Sequence, residues 1–201
     1  MTGATRRCAA LLVVLLACVL PAGSAQAGST ENIAEAVVTE DNGRAWDFAW
    51  DIDRQRGDAL VDHRNVANAR ASCVRCEATA IAFQIVLVNG NPRQVVPVNV
   101  AEAVNTECTE CQVVAEARQF VRVVDEPVKF TAGGRAELGD VKRDLAALEA
   151  QDLPVDQLHL AVEQQEARIR QVLGTELVTT ANPDSEPELL KQRSLQAVDL
   201  G

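Results

Sequence analysis

The spacing of apolar and polar positions changes character along the chain, and each change predicts an element. Residues 33–53 read as a β-hairpin. "EAVVTE" leads into Asp41-Asn42-Gly43, and Asn and Gly accept the positive φ that tight turns require. The following stretch alternates strictly, with Trp46, Phe48, Trp50 and Ile52 on one face and Asp47, Asp51 and Asp53 on the other. Alternation of that kind predicts one buried face and one wet face. Large aromatics in an aromatic-poor chain belong to a core, an exposed ligand-binding stripe being the alternative.

An internal repeat follows. One unit runs Asn65-Val66-Ala67, then Ala69, Cys73, Cys76, Ala80, Ala82, Gln84, Val86, Val88; the other runs Asn99-Val100-Ala101, then Ala103, Cys108, Cys111, Ala115, Ala117, Gln119, Val121, Val123. The registers agree with one residue inserted before Cys108. Their alanine content predicts, for each, a short helix, a bend at the Cys-x-x-Cys pair and a longer helix, with Asn89-Gly90-Asn91-Pro92 ending the first unit. Two copies are too few for a solenoid, so the expected arrangement is a pair about a pseudo-twofold.

Residues 133–178 carry a helical period. Leu138, Val141, Leu145 and Leu148 form one stripe and Leu158, Val162, Ile169, Val172, Leu173 and Leu177 another, with Pro154 suited to a helix's first turn. An antiparallel helical hairpin is predicted, its apolar stripe facing the chain's own core, or a second copy or a partner protein. Residues 179–201 read as a polar tail. The expected fold class is therefore α+β, mainly helical: residues 28–130 hold the β-hairpin and the duplicated helical core, and 131–178 the helical hairpin.

Residues 1–27 read as a secretory signal peptide. Arg6 and Arg7 precede an apolar run from Cys8 to Leu20, Pro21 breaks it, and Ala25-Gln26-Ala27 offers a cleavage site. The run is short of the about 20 residues that span a bilayer. "LLAC" ending at Cys18 faintly matches a lipoprotein box, but Leu16 is bulky and the apolar run continues beyond the cysteine. Cleavage removes two arginines and no acid, leaving 17 basic and 29 acidic residues. That balance argues against nucleic acid as a partner, because phosphate binding needs clustered Lys and Arg. No later segment is apolar enough to span a membrane.

Export bears directly on the cysteines. Outside the cytoplasm, four of them most simply form two disulfides among Cys73, Cys76, Cys108 and Cys111. Local bridges within each Cys-x-x-Cys constrain the unfolded chain by roughly 2 kcal/mol each, whereas a cross-repeat bridge closing about 36 residues gives roughly 4 kcal/mol. Local pairing has proximity in its favour and is the preferred expectation. Two alternatives use the same four residues. A thiol–disulfide oxidoreductase would take Cys73 or Cys108 as nucleophile, aided by Arg75 in the first pair and hindered by Glu110 in the second. A structural zinc site would bind all four as thiolates, although the span between the pairs exceeds the usual one.

Other chemistry is thin. His63 and His159 are the only histidines and form no H-E-x-x-H. Ser29 and Ser72 have no evident base. Asp47, Asp51, Asp53, Asp58 and Asp62 lack the order of a calcium loop and read as a solvated hairpin face. Gly133-Gly134 lacks the Lys and Ser/Thr of a phosphate loop. No cofactor is predicted.

The combination of "AEAVVTEDNGRAWDFAWDI", the two Cys-x-x-Cys units and the final charged hairpin resembles an uncharacterised family of secreted actinobacterial proteins, over residues 31–178. Similar segments form the extracytoplasmic C-terminal region of peptide zinc metalloprotease-like proteins. No protease motif is present here, so the resemblance implies an accessory secreted domain. The expected function is a secreted, non-enzymatic binding or structural module stabilised by two disulfides.

Overall fold

The computed structural model describes residues 30–57 and 60–180, and strands dominate it: 54% is strand and 28% helix. The expectation of a mainly helical α+β fold is overturned. Strands β1 (Thr30–Val38), β3 (Leu60–Ala71) and β5 (Gln94–Asn105) form one parallel sheet, in that order. Strands β2 (Arg44–Arg56), β4 (Glu77–Asn89) and β6 (Gln112–Val124) form a second. The chain alternates between the two sheets, so each rung is one strand of each, and three rungs stack into a short parallel β-solenoid.

Register shows the repeat at full length. Ala34 pairs with Ala67 and Ala67 with Ala101; Ala49 pairs with Ala82 and Ala82 with Ala117. The expected N-terminal hairpin is thus the first rung. β1 and β2 are both strands, but each pairs in parallel with a later strand and they face each other across the interior. Asn42, with φ of 57°, turns the corner between sheets instead of closing a hairpin. The duplicated units are strand–corner–strand, not helix–bend–helix, and successive copies are stacked by translation.

The helical reading of the repeat failed on alanine. Ala is the strongest helix former by propensity, yet Asn65, Ala67, Ala69 and Ala71 recur at period two and all point inward. β4 is buried on both faces: Ala78, Ala80 and Ala82 face the other sheet, whereas Ile81, Phe83, Ile85 and Leu87 face outward into a second apolar layer. Strands buried on both faces read as unbroken apolar runs, typical of parallel sheets.

Small interior side chains let the sheets approach so closely that asparagine spans the gap. Asn32, Asn65 and Asn99 stack in one ladder, with Asn32 donating to Asn65 Oδ1 at 2.7 Å and Asn65 to Asn99 Oδ1 at 2.8 Å. Their amides also reach the opposite sheet: Asn32 to Phe83 O at 3.0 Å, Asn65 to Ala82 O at 3.0 Å, Asn99 to Ala117 O at 3.0 Å. Deeper along the second sheet, Gln119 donates to Gln84 Oε1 at 2.7 Å and Gln84 to Asp51 Oδ2 at 3.3 Å.

The outer face of the second sheet is covered by an antiparallel helix pair, α1 (Ala132–Ala147) and α2 (Val155–Thr175), joined by a 3-10 turn over Leu148–Gln151. The pair is tied off where β7 (Val128–Phe130) and β8 (Leu177–Thr179) pair antiparallel. Leu138, Val141, Leu145, Leu158, Val162 and Ile169 are buried in one cluster with Ile81, Phe83, Ile85 and Leu87, and Trp46, Phe48, Trp50 and Ile52 pack on it. Thr131 caps α1 by accepting from Gly134 N at 2.9 Å.

Two expectations follow. Asn65→Ala leaves Ala82 O and Arg118 O without their side-chain donor, so urea denaturation should show a loss of roughly 2–4 kcal/mol, against about 0.5 kcal/mol or less for Asn68→Ala, whose side chain points away from the interior. Deleting residues 133–178 strips the cover from Ile81, Phe83, Ile85 and Leu87, and the remainder should lose its cooperative unfolding transition; a remainder that unfolds cooperatively would show that the hairpin is an appendage.

Candidate functional site

The cysteines mark one corner of the solenoid, where the chain crosses from the first sheet to the second. Arg75 in the second rung and Glu110 in the third adopt φ of 54° and 58°, as Asn42 does in the first. The corners are stitched together by Asn42 N to Val74 O at 2.9 Å and Arg75 N to Thr109 O at 2.8 Å. In the first rung Glu40 and Gly43 hold the two cysteine positions, and Gly43 N donates to Glu40 O at 2.9 Å. A Cβ at Gly43 would lie 2.7 Å from Glu40 O and 2.8 Å from Val38 Cγ2, so this corner closes tightly around glycine. That first copy was missed in the sequence because its cysteines are absent; the recurrence of Asn32, Ala34 and Ala36 ahead of it was the available signal.

Cys73 bridges Cys76, and Cys108 bridges Cys111. Because consecutive corners share register, the two bridges touch: Cys76 Sγ lies 3.2 Å from Cys111 Sγ and 3.9 Å from Cys108 Sγ. Burial is unequal. Cys73 and Cys76 are buried, whereas Cys108 and Cys111, on the last rung, are partly exposed. Among the described residues, the sulfurs of Cys73, Cys76 and Cys111 lie within 4.8 Å of one another and could hold a soft metal ion once reduced, whereas Cys108, the fourth residue of the expected zinc set, falls outside that group. Arg75 and Glu110 are the corner residues themselves, which ties their backbone role to the turn.

The aspartates lie elsewhere than expected. Asp47, Asp51 and Asp53 share the inward face of β2 with Ala45 and Ala49, at the solenoid's first edge, rather than a solvated hairpin face. Asp47 Oδ2 accepts from Glu35 N at 2.7 Å, and Asp53 Oδ2 is 3.4 Å from His63 Nε2. Asp58 lies outside the described residues, as do Ser29, Cys18 and the leader. Ser72 sits at the corner, its N–H donating to Val38 O at 3.0 Å. Gly134 packs against Glu176, where an added Cβ would come within 2.6 Å of the Glu176 Cβ, which gives the glycine a packing role.

The two histidines are in opposite surroundings. His63 is buried in the solenoid, Nδ1 meeting Thr30 Oγ1 and Nε2 donating to Gln55 Oε1 at 2.8 Å. A neutral ring satisfies both contacts. Burial pushes its pKa below the ordinary 6.5, and Asp53, Asp51 and Asp62 offset this only in part. His159, half-exposed on α2, bonds Glu116 Oε1 through Nδ1 at 2.7 Å and faces Glu163 at 3.2 Å. The hydrogen bond to Glu116 raises its pKa above 6.5. Glu116 also pairs with Arg118 at 2.9 Å, and Arg118 with Glu166 at 2.6 Å. This is an ion-pair network locking α2 onto β6.

No protein-family model matches the chain, and no curated protein or solved structure does. Among the described residues, no helix is long and apolar enough to cross a membrane.

Opposite shifts give opposite pH effects. The folded state holds His63 less protonated than the unfolded chain, so its contribution is complete above pH 6.5 and is lost as pH falls through the lowered folded value. The contribution of His159 is complete below 6.5 and is lost as pH rises through its raised folded value. An NMR titration of the two ring resonances should give one midpoint on each side of 6.5; a single shared midpoint would contradict both environments.

Proposed function

We propose that the chain works outside the cytoplasm as a non-enzymatic structural or binding module held together by two disulfides. The observation that carries this reading is the pair of bridges at the same corner of adjacent rungs, one buried and one partly exposed. Thiols that are only a few bonds apart and paired in this way persist where the surroundings are oxidising. The leader-like residues 1–27 point to the same compartment.

The binding half of the reading rests on what the fold leaves open. The outer face of the second sheet is taken up by α1 and α2, so the hairpin's apolar stripe is spent on the chain's own core. A partner of the hairpin would therefore meet its charged side. Among the described residues, nothing covers the outer face of the first sheet, along which the row Ile33, Val66, Val100 runs with Ile33 50% exposed. Glu31 with Arg64 and Arg70 with Glu102 flank that row as cross-rung ion pairs. A flat apolar row edged by alternating charge suits a protein surface better than a small substrate.

Intact-mass measurement with thiol alkylation, on protein recovered after export, tests the reading. The expected product takes up no label before reduction and four labels after it, having lost residues 1–27 with Cys8 and Cys18. Label taken up before reduction, or a metal ion retained by four protected thiols, would overturn it.

A further inference from the structure

The first bridge is enclosed and the second is within reach of solvent, yet their sulfurs are in contact. Cys76 Sγ is 3.2 Å from Cys111 Sγ, closer than two unbonded sulfurs sit by ordinary packing, and Cys76 is fully buried. An external thiol therefore reaches Cys108–Cys111 more readily than Cys73–Cys76. Thiol–disulfide exchange requires a thiolate that reaches a disulfide sulfur in line with the bond that breaks, and reduction frees the Cys111 side chain to turn into that line. From this the geometry points to a built-in exchange site: reduction of the outer bridge passes inward, converting the local pair Cys73–Cys76 into a cross-rung bridge, Cys76–Cys111.

A dithiol reductant gives two electrons and two protons to Cys108–Cys111 and leaves as its own disulfide. The Cys111 thiolate then attacks Cys76 Sγ. The Cys111–Cys76 bond forms as Cys76–Cys73 breaks, the electron pair leaves on Cys73 Sγ, and Cys73 takes up the proton that Cys111 gave up. The two hydrogens from the reductant finish on Cys108 and Cys73.

Once formed, the new bridge closes a loop of 35 residues where the old one spanned three, so the exchanged form resists unfolding more. It also crosses between corners that the backbone already holds in register, through Arg75 N to Thr109 O at 2.8 Å and Gln112 N to Cys76 O at 2.9 Å. Exchange thus changes which sulfurs are joined while the corner hydrogen bonds stay in place. The inference rests on the reading that the working protein carries two disulfides, and it needs no partner beyond the reductant.

The test uses the full chain with Cys8 and Cys18 changed to serine, so that only the four corner cysteines remain. Graded dithiothreitol, acid quench, alkylation and peptide mapping identify the bridge in the one-disulfide species. The expected species carries Cys76–Cys111 with label on Cys73 and Cys108. A one-disulfide species that retains Cys73–Cys76, or one that retains Cys108–Cys111, overturns the inference. Should reduction run to completion without an intermediate, Cys108→Ser decides, since it leaves Cys111 free beside an intact Cys73–Cys76 bridge. Exchange then puts the label on Cys73, and label confined to Cys111 overturns it. Free thiols in the untreated chain would instead defeat the functional reading, so the two failures are told apart.

Discussion

Asn32, Asn65 and Asn99 reach backbone carbonyls of the opposite sheet because alanines line the interior beside them. That close approach of two sheets is the constraint from which the rest of the molecule follows. Larger side chains at 34, 36, 67, 69, 80 or 82 would push the sheets apart, and the asparagine amides would lose their carbonyls. With the gap fixed, each rung must turn its corner in very few residues, which puts a left-handed residue at 42, 75 and 110. In-register stacking of these corners brings the cysteines of adjacent rungs into contact.

An interior of alanines buries little apolar area per residue, so the molecule has a second core for stability. It lies between the second sheet and the helix pair, where Phe83, Ile81, Ile85, Leu145 and Ile169 are all but fully enclosed. A large apolar side chain of this sort contributes roughly 1.5–3 kcal/mol when buried, several times what an alanine methyl can give. The two layers divide the work: one sets geometry, the other holds the chain folded. His63 and the Gln84–Gln119 ladder continue the polar interior toward the other end of the rungs, where Val61, Val86 and Val88 replace alanine.

What the sequence made legible follows the same division. Residues of the stabilising layer announce themselves by period: Leu138, Val141 and Leu145 at helical spacing, Trp46, Phe48 and Trp50 at strand spacing. The geometric layer is written in alanine, which carries no strand preference and a strong helical one, so period two in Asn65, Ala67 and Ala69 was outweighed by composition. β4 hid itself differently, because it alternates in size between Ala80 and Ile81 rather than in polarity. The cysteines were visible, and so was the shared register of their two turns. The first copy was not, since Glu40 and Gly43 retain the turn without the sulfur. Contact between the two bridges depends on stacking, which no local spacing encodes.

The local staples also bear on how the molecule meets a pulling force. Each bridge spans three residues and removes almost nothing from the length the chain can pay out. Rung is bound to rung by hydrogen bonds and side-chain contacts alone, so tension applied at the two termini would draw the solenoid out one coil at a time, like thread from a spool. A bridge from Cys76 to Cys111 would withhold 35 residues from that extension, about 120 Å of chain at full stretch. The choice of partner for one sulfur thereby sets how far the chain can extend.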